Sequence, residues 1–530
     1  MPTFAAIDIG SNSCRLRIAK VYAHQLKTVA EDREVTRLGG SVFDTGLISP
    51  EAMAATLRAL KRFQRAVQAH GVDRIRVVAT SAMRDARNSA AFQAWVKAET
   101  GWNMEIISGL EEARLIHLGI IAVEPGAGGR VLLLDLGGGS CELTFSEHKR
   151  IREAMSLPLG AVRLTEQFIP DDPAPADGLA RMKQLISREL RRARRKLQFD
   201  KPPLVIASSG TAAALSDAYC MSAKSGKPCG KKTGKVSARS ATAEYRSAIR
   251  AGMVPTAEVR KIAAKLAKLP LPAREAVPGI GPRRAEIIVA GAQVYAELLE
   301  TFDLPGFRYS PLGLRDGILA QMLAESAAAD AREHREFEIE RRESVLATAR
   351  RYGVDLHQAE PVRAHAVQLF RELKSLHHLP AEYESWIADA ALLRDTGKFI
   401  NHQGHNRHTQ YIISSSEIYG YTQLHRTVIS AIARYLGKSR PESGDRAMRN
   451  IPAEEHKNIH CAVVLLRLAV ALNQDRVSDV LRVATKIYPK RVCLELKPGR
   501  TGAELELWSL RKEADYFREV FGRELFVTLA

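Results

Sequence analysis

The sequence predicts an α/β fold built from two related halves, followed by an all-helical domain and a small α+β tail. Three observations carry that prediction. Short apolar runs alternate with helix-period segments from residue 4 to about residue 320. The opening strand–turn–strand, FAAIDIGSNSCRLRI (4–18), returns at 131–145 as VLLLDLGGGSCELTF. From 341 to about 485 the chain reads as helix after helix, and KRVCLELKPG (490–499) then restores alternation.

The elements follow in order. Residues 4–45 read as strands and turns, and Met53, Leu57, Leu60, Phe63 and Val67 place a helix over 53–68. IRVVAT (75–80) is a short strand running into Ser81 and a helix, and MEIIS (104–108) is another strand. Ser108 then caps a helix with Glu111 three residues on, the pattern of a capping box. Aligning Asp8 with Asp135 matches a Gly two residues later, a Ser five later and a Cys six later. Such a repeat describes duplicated halves facing a shared cleft. A third small-residue turn, VIASSGTAAALS (205–216), follows a strand and opens a helix, whose first N–H groups suit an anion. RELRRARRKLQF (188–199) is a helix with a solvated basic face, and the Lys/Gly/Ser-rich stretch 222–240 is a loop. The composition turns charged at 323–345, which sets the domain limits at 1–125, 126–325, 326–485 and 486–530, with the last helix of the second segment returning to the first.

A chain of 530 residues exceeds one core. Its Lys+Arg count of 78 against 60 Asp+Glu leaves a net charge of +18, which implies a polyanionic partner. The apolar run from Cys461 is broken by Arg467, too short for a membrane span. No signal peptide is expected. Six cysteines without CxxC spacing fit reduced thiols in a cytoplasm and no zinc site.

Six motifs in order, IDIGSNS, ATSAMRDARN (79–88), SGLEEARL (108–115), LDLGGGSCEL, LPLGAVRL (157–164) and SPLGLRDGIL (310–319), resemble those of the Ppx/GppA phosphatases. These are exopolyphosphatases and guanosine pentaphosphate phosphohydrolases. The resemblance implies an ASKHA fold of two subdomains for the first half. It implies an HD-like helical domain for the second, and a homodimer.

Removal of a terminal phosphate needs a placed water, neutralised charge and usually a bridging metal. Glu111 is committed to the cap of its helix, so Glu112 is the freer carboxylate, and the resemblance makes it the general base. Asp135 and Glu142 stand on two strands across a Gly turn. They are the expected ligands of Mg²⁺, with Mn²⁺ as the alternative, and the resemblance adds Asp8 from the facing hairpin. Ser11, Asn12 and Ser13, with the backbone of Gly137, Gly138, Gly139 and Ser140, should cradle the terminal phosphates. Arg84 should reach a phosphate oxygen through its fork. Ser209, Gly210 and Thr211 stand where ASKHA kinases hold adenosine, and are expected to bind phosphate here.

Two motifs point elsewhere. VPGIGPRRAEII (277–288) has the form of a helix-hairpin-helix, but the family resemblance covers it, and no specific nucleic-acid binding is expected. In the HD-like domain His365 and Asp475 could end a metal set, but Arg394 stands before Asp395 where an imidazole is needed. His402, His405 and His408 suit loop hydrogen bonds or polyanion contacts. The reading is an exopolyphosphatase drawing its polymer along a basic groove between the cleft and the helical domain. Guanosine pentaphosphate hydrolysis is the nearest alternative. An ASKHA ATPase or kinase would bind adenosine at 208–211 and need an acceptor or coupled motion that the sequence does not advertise, and Glu112, Asp135 and Glu142 argue against an idle polyanion binder.

Overall fold

The computed structural model describes residues 2–124, 126–199, 203–222, 252–326, 331–437, 439–474, 481–497 and 502–529. Most of the basic stretch 222–240, Cys229 and Asp475 lie outside them. The chain forms two compact units, Met1–His334 and Arg335–Ala530.

The first unit holds two sheets. Strands β1 (Thr3–Ile9), β2 (Ser13–Tyr22), β3 (Gln25–Val35), β4 (Arg74–Ala79) and β5 (Met104–Ile106) make one, in the order β3-β2-β1-β4-β5. Strands β6 (Arg130–Leu136), β7 (Cys141–Glu147), β8 (Arg150–Leu157), β9 (Leu204–Ser208), β10 (Val254–Pro255) and β11 (Gly306–Tyr309) make the other, in the order β10-β11-β9-β6-β7-β8. Setting aside β10, the order is the same in both: an antiparallel meander of three, then two parallel strands on the far side of the first. The repeat read from the two hairpins is therefore a repeat of whole sheets. Its register has a consequence for chemistry: Asp8 pairs with Arg15, while Asp135 pairs with Glu142. Equivalent positions carry a cation in one half and an anion in the other.

Central β1 is apolar apart from Thr3 and Asp8 because both of its faces are covered. The helix expected over 53–68 runs Pro50–Ala69 (α2, after the short α1, Val42–Thr45). Ser49 caps α2 by accepting from the Ala52 N–H, and Pro50 fits the first turn, where its missing N–H is no loss. Leu57, Leu60, Phe63 and Val67 are buried against the first sheet. Helices α3 (Ser81–Asp85), α4 (Ser89–Thr100) and α5 (Gly109–Ile121) complete the first half. The second half adds α6 (Ala161–Phe168), α7 (Ala176–Lys196), α8 (Ser209–Ser222), α9 (Thr256–Lys268), α10 (Leu271–Glu275) and α11 (Ile288–Thr301). On α7, Leu190 and Ala193 face the core, with the arginines around them on the outside.

The last helix of this unit, α12 (Leu314–Ala324), returns to the first half. Its Ile318, Leu319, Met322 and Leu323 share a core with Phe4, Val78 and Leu115. It crosses α5 at glycines: a Cβ on Gly317 would stand 1.7 Å from the Leu115 carbonyl oxygen, and one on Gly119 would stand 2.5 Å from the Gly317 nitrogen. This crossing fixes the helix that carries Glu112. Gly317→Ala is expected to destabilise the protein by about 1–3 kcal/mol, the usual cost of overpacking, as measured by urea unfolding.

In the second unit, one core runs from Val345 to Val527. Helices including α13 (Ala331–Arg351), α14 (Leu356–Glu372), α15 (Lys374–His377), α16 (Tyr383–Leu393) and α17 (His405–Ser415) build most of it. The sheet β12 (Arg482–Ile487), β13 (Arg491–Lys497) and β14 (Glu524–Leu529) contributes Val492, Leu494 and Val527 to the same core, so packing is continuous across the limit expected at 485. Among the described residues no helix is long and apolar enough to cross a membrane.

Candidate active site

The two hairpin turns of the first unit face each other across a polar cleft. Asp8, Gly10–Ser13 and Arg15 line it from one half, and Asp135–Ser140 from the other, with Glu112, Ser209 and Gly210 between. The site residues expected from sequence thus converge, with a few exceptions.

Glu112 lies in the first turn of α5. Ser108 caps that helix by accepting from the Glu111 N–H at 3.1 Å. The other half of the expected capping box is different: the Glu111 carboxylate takes Arg114 Nε and Nη2, each at 2.8 Å. The guanidinium, one helical turn on, is the stronger partner for a buried carboxylate. Either way Glu111 is occupied and Glu112 faces the cleft. Burial, the largest cause, lifts the Glu112 carboxyl to about 7; Arg84 opposes it, and Asp135 and Asp8 add to it.

Arg84 differs from its expected role. Its Nη1 donates to Glu112 Oε2 at 2.9 Å and to the Ile107 carbonyl at 2.8 Å, and its Nη2 donates to Ser140 Oγ at 3.2 Å. These bonds make it the holder of Glu112 rather than a free phosphate fork. The pairing is not legible in sequence because it joins α3 to α5.

Three further carboxylates sit at the floor. Burial raises Asp8, takes Asp135 to about 6 despite the Ser208 hydroxyl that donates to it, and lifts Glu142 well above the ordinary range. Glu142 lies beneath the cleft lining. Its Oε1 accepts from Ser156 Oγ at 2.7 Å, while its Oε2 is buried and without a hydrogen-bond partner. An unpartnered carboxyl oxygen among other carboxylates is the kind of donor a hard cation takes. No group of three or more carboxylate, histidine or cysteine side chains among the described residues is arranged to hold a metal alone.

Ser11, Asn12 and Ser13, expected from sequence to bind phosphate, belong to the hairpin of the first half. Asn12 lines the cleft, and its Nδ2 is buried with no partner. Ser11 Oγ accepts from the Ala82 N–H at 3.2 Å and Ser13 Oγ from Arg15 Nε at 3.3 Å, so each hydroxyl proton is free to turn elsewhere. Ser209 and Gly210 line the cleft, but Thr211 does not: its side chain packs on Gly291 of α11. As the third residue of α8 it points back into the fold.

Four arginines that the sequence reading did not single out also line the cleft: Arg15, Arg33, Arg284 and Arg315. Burial and mutual repulsion push Arg284 down to about 9 and Arg33 and Arg315 down to about 10. Like charges gathered under partial burial are costly unless an anion joins them. Two of these residues had a signal. Arg15 occupies the repeat position of Glu142, and Arg315 belongs to SPLGLRDGIL. Arg284 comes from the stretch that resembled a DNA-binding hairpin, which here delivers a guanidinium to the cleft. It lies over Gly210, where a Cβ would stand 1.5 Å from Nη2. Gly210→Ala should displace Arg284 and raise the KM for a phosphate-chain substrate about tenfold, with little change in kcat.

In the second unit, Arg394 is buried and donates to the carbonyls of Ala391 at 2.8 Å and Gln358 at 3.3 Å. His405 Nδ1 meets the His402 carbonyl at 3.1 Å.

Two duplicated sheets, each presenting an acidic hairpin turn to a shared polar cleft, define an ASKHA-like fold equipped for phosphate. Residues 17–326 match the model of the Ppx/GppA phosphatase family, and residues 340–514 match that of Ppx/GppA phosphatase domain III. The chain belongs to the Ppx/GppA phosphatase family and is an enzyme of phosphoanhydride hydrolysis. Among its relatives, Exopolyphosphatase 2 of Mycobacterium tuberculosis is 33% identical over 303 residues, 56% of this chain and 89% of that protein. Among solved structures, an exopolyphosphatase from Cytophaga hutchinsonii aligns over 62% of this chain and 100% of its own, with a TM-score of 0.53 and 23% identity. An exopolyphosphatase-like protein aligns over 60% of this chain and 96% of its own, with a TM-score of 0.52 and 27% identity.

Proposed function

We propose that this chain is an exopolyphosphatase that removes terminal phosphates from inorganic polyphosphate in the presence of Mg²⁺. The observation that carries the reading is the set of four arginines that line the cleft with Glu112. A single terminal phosphate needs no such set, whereas a chain with a charge on every unit does. The relative named exopolyphosphatase supports the same substrate class.

Asn12, Ser11, Ser13 and the turn 137–140 would hold the terminal phosphate. Arg15, Arg33, Arg284 and Arg315 would hold the units behind it and offset the charge left on the departing chain. Glu112, unprotonated, would take a proton from water as the oxygen attacks phosphorus in line. Asp135 and Glu142, assisted by Asp8, would hold Mg²⁺, which when bound polarises phosphate oxygens. The second unit, read as an HD-like domain, would carry no metal chemistry, since a guanidinium at Arg394 cannot ligate.

Gel electrophoresis of a long-chain polyphosphate digest tests the reading. Orthophosphate with progressively shortened chains is expected. Early mid-length fragments, or no release at all, would contradict it.

A further inference from the structure

The motif LPLGAVRL has no role in the mechanism above, yet its last residues hold the triglycine turn of the cleft by every carbonyl. Every carbonyl of the triglycine turn is taken by the start of α6. Gly137 O accepts from the Ala161 N–H at 3.0 Å. Gly138 O accepts from the Val162 N–H at 2.8 Å and the Arg163 N–H at 3.1 Å. Gly139 O accepts from Arg163 Nε at 2.7 Å. In a planar trans peptide the N–H points opposite to the carbonyl before it. With three carbonyls drawn to α6, the N–H groups of Gly138, Gly139 and Ser140 point away from it. No protein acceptor among the described residues takes them.

Gly160 permits the approach, since a Cβ there would stand 2.2 Å from the Gly139 carbonyl carbon. The Arg163 guanidinium also reaches the other half of the fold. Nη2 donates to Ser81 Oγ at 3.2 Å and pairs with Asp85, and the group lies over the Phe43 ring at 4.0 Å. One side chain therefore fixes the turn and ties it to α1 and α3 across the cleft.

We propose that Arg163 is a positioning residue that turns the triglycine peptides so that three backbone N–H groups converge on the terminal phosphate of the substrate. This rests on the reading of the cleft as a phosphate site. Losing the guanidinium frees the Gly139 carbonyl and lets the last peptide rotate. The penalty falls on phosphate binding, while Arg84 keeps its bonds to Glu112 and the Ile107 carbonyl, neither of which involves the turn.

The test compares wild type with Arg163→Ala and Arg163→Lys. Calorimetric titration with inorganic triphosphate, without divalent metal, reads affinity. Phosphate release from polyphosphate with Mg²⁺ reads kcat and KM. Arg163→Ala is expected to weaken triphosphate at least about tenfold and raise KM similarly, with kcat changed less than about threefold. Millimolar guanidinium chloride should restore part of the affinity by refilling the space, and Arg163→Lys should fall between. Unchanged triphosphate affinity in both variants overturns the proposal, as does weakened affinity that guanidinium leaves untouched. If Arg163→Ala does not fold, wild-type affinity in Arg163→Lys overturns it alone. Triphosphate binding without polyphosphate hydrolysis by wild type would sink the exopolyphosphatase reading and leave this proposal to the titration. Absence of triphosphate binding in wild type overturns this proposal by itself.

Discussion

Glu112→Gln is expected to lower kcat for phosphate release by about 10²–10⁴-fold, the usual contribution of a general base, and to leave polymer affinity within about threefold. The substitution keeps the size of the side chain and one acceptor for Arg84, whose bond at 2.9 Å holds the carboxylate in place. It removes only the basicity. On the proposed reading binding would come from elsewhere: from Asn12, the turn 137–140 and the four arginines, all of which line the cleft. Affinity lost in step with turnover would make Glu112 a binding group instead. The pH profile carries the same assignment. Burial holds the Glu112 carboxyl at about 7, and a base works only when unprotonated, so kcat/KM should climb through neutral pH and level above it. Arg84 lowers that value, so Arg84→Met should move the rising limb to higher pH.

Glu142→Gln should cost about 10²-fold or more in Mg²⁺-dependent turnover, since a metal contributes several kcal/mol of charge stabilisation. The fold should survive. Glu142 is buried with Oε2 unpartnered, and burial, Glu112 and Asp135 raise its carboxyl well above the ordinary range, so a neutral amide replaces a group already disfavoured as an anion. Mn²⁺ binding, followed by electron paramagnetic resonance, should weaken together with turnover. Unaltered Mn²⁺ affinity would take Glu142 out of the metal site and leave it a buried structural carboxylate.

Local sequence carries much of the fold and about half of the site. The two Asp–Gly hairpins are contiguous, and each contains its own turn chemistry, so the order of residues alone places Asp8, Ser11–Ser13, Asp135 and Gly137–Ser140. Glu112 is legible because its neighbour Glu111 is occupied, although the occupant is Arg114 rather than the cap. The set of arginines is not, because Arg15, Arg33, Arg284 and Arg315 come from β2, β3, the approach to α11 and the start of α12. Only tertiary packing brings those segments together. Arg15 shows what a repeat can still reveal: aligned on Glu142, it marks where duplicated halves exchanged charge. Thr211 and Arg84 depart from expectation for the same reason in reverse, since a side chain near a turn need not face what the turn faces. Thr211 packs on Gly291, and Arg84 is spent on Glu112 and Ser140.

The most direct measurement is phosphate release by the purified protein with Mg²⁺ from long-chain polyphosphate and from guanosine pentaphosphate, side by side, over a range of salt. Faster release from the polymer, falling steeply as salt rises, is the predicted result, because on the proposed reading four arginines would hold successive units of the chain. Preference for the nucleotide, or a rate on the polymer indifferent to salt, would contradict it.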